Sequence, residues 1–151
     1  MMISFTTLLD RAKTFTLLAI VAATFSAVPR SGFAAPPTKP LVELESHIKW
    51  SAVDSGWKAL REGWVTQTTA CDTAKCAGAQ LLLLEQHVEW KAVSPKWKET
   101  RPAWVQKCQS ATTDEQVAAL LLEFEQNVGW SAVDEEWKDK RDGWIAQVKG
   151  S

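Results

Sequence analysis

Tryptophan recurs in this chain at intervals that leave few folds open. It stands at Trp50, Trp57 and Trp64, at Trp90, Trp97 and Trp104, and at Trp130, Trp137 and Trp144, seven apart within a triplet and forty apart between triplets. Sliding the chain along itself by forty residues gives three copies of L-x3-E-x4-W-x-A-V-x3-W-K-x2-R-x2-W. Leu41, Leu81 and Leu121 coincide, as do Glu45, Glu85 and Glu125, Lys58, Lys98 and Lys138, and Arg61, Arg101 and Arg141. A period of this size marks an array in which one unit cannot bury its apolar face alone and must stack on its neighbours. Beyond residue 34 the only arginines are those three, and the only aromatic side chain besides tryptophan is Phe124. The 34-residue tetratricopeptide pattern is not followed.

Within each copy the apolar spacing is helical. Leu41, Leu44, Ile48 and Ala52 recur at steps of 3, 4 and 4, as expected of one face of a helix. Asp72 is the expected N-cap of the corresponding helix in the second copy, and Thr113 with Gln116 forms a capping-box pattern in the third. A second helix is expected after Asp54, Ser94 and Asp134, three capping residues at one register. On it Trp57, Arg61 and Trp64 share a face. Pro102 points to a kink or a split near the arginine. The expected fold is all-α: three tandem helical hairpins on a forty-residue period, α-solenoid-like or a small bundle.

Before the array lies a segment of another kind. Arg11 and Lys13 precede an apolar run over 15–28, shorter than the roughly 20 residues that span a bilayer, and small residues follow at Ala34 and Ala35. A cleaved signal peptide over 1–34, a Pro-rich linker over 35–40 and a helical domain over 41–151, divided 41–80, 81–120 and 121–151, are therefore expected. Export to a periplasm or the exterior follows from that reading. Removal of 1–34 takes Arg11, Lys13, Arg30 and Asp10, leaving 14 basic and 17 acidic side chains, a net charge of about −3. Nucleic acid is not an expected partner, and the mature chain is expected to carry no membrane span.

Two readings compete for the repeated polar residues. Trp57, Arg61 and Trp64, with Trp97, Arg101 and Trp104 and with Trp137, Arg141 and Trp144, form either an open ladder that binds a glycan, an anionic polymer or a peptide, or the core itself. In the second case Arg61, Arg101 and Arg141 pair with Glu45, Glu85 and Glu125. The core reading leads, because large aromatics dominate core burial and an invariant Glu–Arg register suits paired charges.

His47 and His87 share a register that Asn127 breaks, so a metal shared between them is the weaker alternative and no metal or other cofactor is expected. No HExxH, CxxC, phosphate-loop or GxSxG pattern occurs, and catalysis is not expected. Of the three cysteines, Cys71 and Cys76 flank a helix start and are expected to form a disulfide, leaving Cys108 free. The functional expectation is an exported, non-catalytic repeat module that binds a partner through Trp/Arg-rich faces. The alternative is a structural or assembly subunit of a larger complex.

Overall fold

The structure, a computed structural model, describes residues 36–150, so the expected signal peptide lies outside the described residues. Among them the chain is all-α. Six helices follow one another: α1 Thr38–His47, α2 Trp57–Thr69, α3 Ala74–His87, α4 Trp97–Ser110, α5 Asp114–Asn127 and α6 Glu135–Val148. A single 3₁₀ turn sits between the two helices of each copy, at Trp50–Ala52, Trp90–Ala92 and Trp130–Ala132. No helix among the described residues is long and apolar enough to cross a membrane.

Helices α1, α3 and α5 end earlier than the apolar period suggests. Each stops at residue 47, 87 or 127, and Ile48, Val88 and Val128 are already extended. β-Branched side chains favour that conformation, so the 3-4-4 spacing of Ile48 and Ala52 is not a helix face. Their burial has another cause. Ile48 pairs with Val133, Val53 with Val88, and Val93 with Val128, in three isolated antiparallel bridges.

These bridges close the chain on itself. Between the first and second copies Asp54 N donates to His87 O and Glu89 N to Ala52 O, both at 2.9 Å. Ser94 N to Asn127 O and Gly129 N to Ala92 O, at 2.7 and 2.8 Å, join the second to the third. Asp134 N to His47 O and Lys49 N to Ala132 O, at 2.9 and 2.8 Å, join the third back to the first. Three equivalent junctions around one centre make a closed bundle rather than an open solenoid. Ala52, Ala92 and Ala132 pack together where the junctions meet, with Ile48, Val88 and Val128 against them.

The core is built from indoles. Trp57, Trp64, Trp97, Trp104, Trp137 and Trp144 are each at most 2 % exposed, among Leu41, Leu44, Leu81, Leu84, Leu121 and Phe124. The two tryptophans of each second helix meet edge to face, with centroids 5.3, 5.2 and 5.2 Å apart, a geometry the ring quadrupole favours. Burial obliges each indole N–H to find an acceptor. The third tryptophan of each triplet finds a carbonyl on the first helix of the next hairpin: Trp64 donates to Gln80 O of α3, Trp104 to Leu120 O of α5, and Trp144 to Pro40 O of α1, at 2.9, 3.0 and 2.8 Å. The last of these spans nearly all the described residues and seals the ring.

Four local expectations need correction. Of the three expected caps of the second helices only Asp134 is one, since α2 and α4 begin at Trp57 and Trp97 after Gly56 and Lys96 with no side-chain cap. Residues 38–40 of the expected linker are the first turn of α1, where proline is tolerated because a first-turn N–H has no helical partner. Thr73, not Asp72, caps α3: its side chain accepts from Cys76 N, in the register at which Thr113 caps α5 and completes a capping box with Gln116. Helix α4 runs unbroken from Trp97 to Ser110 with Pro102 inside it, so it is not split.

Candidate binding surface

Each copy holds one polar cluster against its indoles. Glu45, Glu85 and Glu125 lie in the last turns of α1, α3 and α5 and are buried. Oε1 of each accepts the indole N–H of Trp57, Trp97 or Trp137, at 3.0, 2.9 and 3.2 Å. The same oxygen accepts from Nε of Arg61, Arg101 or Arg141, at 2.7, 2.6 and 2.6 Å. Arg101 and Arg141 add a second bond from Nη2 to Oε2, at 2.8 and 2.9 Å. A buried carboxylate with charged and neutral donors on it is well compensated, and it pins the second helix of each hairpin to the first.

The six core tryptophans are thus not an open ladder. Trp57, Trp64, Trp97, Trp104, Trp137 and Trp144 lie inside, and only the arginines of those nine positions reach solvent in part. The indoles that do face water are the first of each triplet. Trp50, Trp90 and Trp130 are 50, 51 and 54 % exposed. Periodicity hid them, because on one continuous helix Trp50 shares a face with Trp57 and Trp64. The break over 48–56 takes Trp50 off both helices.

Each exposed ring is backed by a cation. Arg61 and Lys58 stand 5.8 and 5.7 Å from the Trp50 centroid, and Arg101 and Lys98 stand 5.7 and 5.6 Å from that of Trp90. Arg141 lies 5.6 Å from Trp130, while Lys138 turns instead to Glu135 at 2.7 Å. Each arginine is therefore held between an outer indole and a buried carboxylate. Each exposed tryptophan opens a 3₁₀ turn, and the three turns meet through Ala52, Ala92 and Ala132. Beside Trp50 opens a cleft of about 200 Å³, lined by Glu45, Ile48, Trp50, Val53, Trp57 and Arg61. Its counterpart beside Trp130, about 180 Å³, is lined by the equivalent residues of the third copy.

The histidines belong to different junctions. His87 Nδ1 bonds both oxygens of Asp54 at 3.0 and 2.9 Å, and His47 Nδ1 those of Asp134 at 3.1 and 3.0 Å. At the third junction Ser94 donates to Asn127 Oδ1 at 2.7 Å. The register that breaks from His to Asn thus breaks in its partner from Asp to Ser. The hydrogen bond from His87 holds the Asp54 carboxyl below its ordinary range, against partial desolvation and with help from the amides of Trp57 and Gly56. For Asp134 desolvation pushes upward, but the His47 hydrogen bond and the Trp137 amide outweigh it and the group is lowered. Among the described residues no group of three metal-ligating side chains converges, and the two histidines do not face a common point.

Cys71 and Cys76 are joined, with Cα atoms 5.5 Å apart, and the bond closes a loop across the start of α3. Cys108 is buried, and burial first, then the nearby carboxylates of Glu85 and Glu123, pushes its thiol up to about 12. That keeps it protonated and unreactive.

Residues 76–128 match the model of a family described as "Domain of unknown function (DUF8799)". The matched stretch takes in most of α3, the Trp90–Ala92 turn, α4 and α5, about a third of the chain. No curated protein and no solved structure matches the chain.

Proposed function

We propose that this chain is an exported, non-catalytic interaction module whose contact surface is formed by Trp50, Trp90 and Trp130. The supporting observation is the division of labour among the tryptophans. Six fill a closed core, and three at a single register are left half in water, each resting on an arginine anchored from beneath. Exposed apolar surface in rigid, cation-backed positions is costly to a free monomer and is the composition found at binding hot spots, where tryptophan and arginine are enriched. The Glu–Arg anchor preorganises the surface, so little side-chain entropy is lost on docking. The Cys71–Cys76 bond suits an oxidising compartment, in keeping with export. The histidines serve the junctions, which favours a structural role for them over a catalytic one.

Co-sedimentation of the full chain with cell-envelope material tests the surface. The triple change Trp50→Ala, Trp90→Ala and Trp130→Ala is expected to abolish retention while leaving the circular dichroism of the fold unchanged. Equal retention of both proteins would overturn the assignment. Burial of the same three indoles against another chain is the alternative, that of an assembly subunit. Light scattering separates the two: a stable monomer supports the module, and an obligate oligomer whose exposed indoles are shielded supports the subunit.

A further inference from the structure

The three exposed tryptophans stand in unequal electrostatic surroundings. Over each turn and the first half of the helix after it, residues 49–62, 89–102 and 129–142, the net charge is +1, +2 and −2. The second copy sets four cations against two acids, and the third sets three against five. Each stretch includes one arginine neutralised from beneath by its glutamate, so the differences lie in the remaining groups. The lysine beside each ring follows the same order. Lys98 stands 5.6 Å from the Trp90 centroid and Lys58 5.7 Å from that of Trp50, both exposed. Among the described residues neither is in an ion pair. Lys138 is bound instead to Glu135 at 2.7 Å, and Trp130 has only its arginine. An ammonium over an indole is held by the ring quadrupole but has no acceptor there, so its N–H groups remain for an anion.

We propose that the Trp90 face, and the Trp50 face more weakly, receives an acidic peptide segment of a partner protein. An apolar side chain of that segment covers the water-facing part of the indole, and a carboxylate beside it pairs with Lys98. The inference rests on the reading of the exposed tryptophans as the contact surface, and names the partner's chemistry and the copy that recognises it. Two needs are met together. Half an indole in water gains by being covered, which a carboxylate cannot do, and an unpaired ammonium gains an anion, which an apolar side chain cannot supply. A peptide with an apolar residue next to glutamate or aspartate offers both at adjacent positions. A uniform polyanion offers only the second, and the excess of acidic side chains beyond residue 34 disfavours it at long range. The segment stays on the outer side of the ring, and the carboxylates beneath the arginines take no part. At Trp130 the lysine is taken and the acids are in excess, so the same segment is turned away.

The nine indole N–H groups provide the test. The full chain, labelled with nitrogen-15 at tryptophan, is titrated by NMR with acetyl-Glu-Glu-Phe-Glu-Glu-amide, with its Gln-Gln-Phe-Gln-Gln counterpart, and with hexagalacturonate. The acidic peptide is expected to shift Trp90 most, Trp50 less and Trp130 not at all, with a dissociation constant of about 1 mM at low salt. Added salt should weaken it. Lys98→Glu is expected to weaken the Trp90 response about tenfold, one exposed attraction lost and a repulsion of the same size gained. Glu135→Gln frees Lys138 and should bring Trp130 into the response. Both changes fall on exposed side chains outside the core. The proposal is overturned if the glutamine peptide binds as well as the acidic one, or if Trp130 of the native chain responds as strongly as Trp90. It is overturned too if Lys98→Glu changes nothing, or if hexagalacturonate alone binds, which would mark an acidic glycan. Envelope retention that depends on the three tryptophans, with a silent peptide titration, would remove the acidic partner and leave the docking surface standing.

Discussion

Glu85 accepts three hydrogen bonds, from Trp97 Nε1 and from Nε and Nη2 of Arg101, and the loss of either partner is not symmetric. Removing the arginine leaves an ionised carboxylate in the core with one neutral donor. Arg101→Ala is therefore expected to destabilise by about 3 kcal/mol, the low end for a broken buried pair because the guanidinium is itself partly exposed. Replacing both residues with leucine strands no charge and is expected to cost less. Urea midpoints of the two variants check this, and a near-neutral Arg101→Ala would show that Glu85 is held without it. The pairing was legible in the sequence, since Glu and Arg recur together sixteen residues apart in every copy. The exposure of Trp50, Trp90 and Trp130 was not. Their spacing of seven from the buried tryptophans reads as one face, and only the extended residues on either side of the 3₁₀ turn show otherwise.

At the scale of elements, the junctions decide how the hairpins meet, and two of the three carry a His–Asp pair. Asp54 and Asp134 titrate below their ordinary range in the fold. A lowered carboxyl stabilises the fold fully above its unfolded pKa, and that stabilisation is lost as pH falls through the folded value. Thermal stability is thus expected to decline below about pH 4, where free aspartate begins to protonate. The third junction supplies a neutral version of the same contact. His87→Asn with Asp54→Ser copies Asn127 and Ser94, and melting curves across the acid range are expected to fall less steeply for that variant. An unchanged acid limb would place the sensitivity elsewhere. The caps were partly legible: Thr113 announced itself through Gln116, whereas Thr73, with Cys76 in place of that glutamine, did not. The ends of α1, α3 and α5 were obscured because Ile48 and Ala52 serve the junction at a spacing that imitates a helix.

For the whole molecule, the repeat predicted stacking but left open whether the array ends or closes. Closure depends on contacts a hundred residues apart, such as Trp144 to Pro40, and no local pattern encodes them. In a closed ring no junction is special. A permuted chain opened between α4 and α5, with residue 150 joined to residue 36 by a short flexible linker, is expected to melt cooperatively with the near-ultraviolet circular dichroism of the parent. A fragment holding only residues 36–110 loses Leu120 and Phe124 from around Trp97 and Trp104 and should not. A cooperatively folded fragment would mean that two hairpins suffice. The division of the tryptophans into six that build the core and three that face outward has its most direct test in acrylamide quenching of fluorescence. The native chain is expected to show a red-edge emission that acrylamide quenches readily, over a blue emission that it quenches poorly. Changing Trp50, Trp90 and Trp130 together to phenylalanine should remove the quenchable part and leave the blue emission intact. Readily quenched emission that survives in that variant would contradict the division.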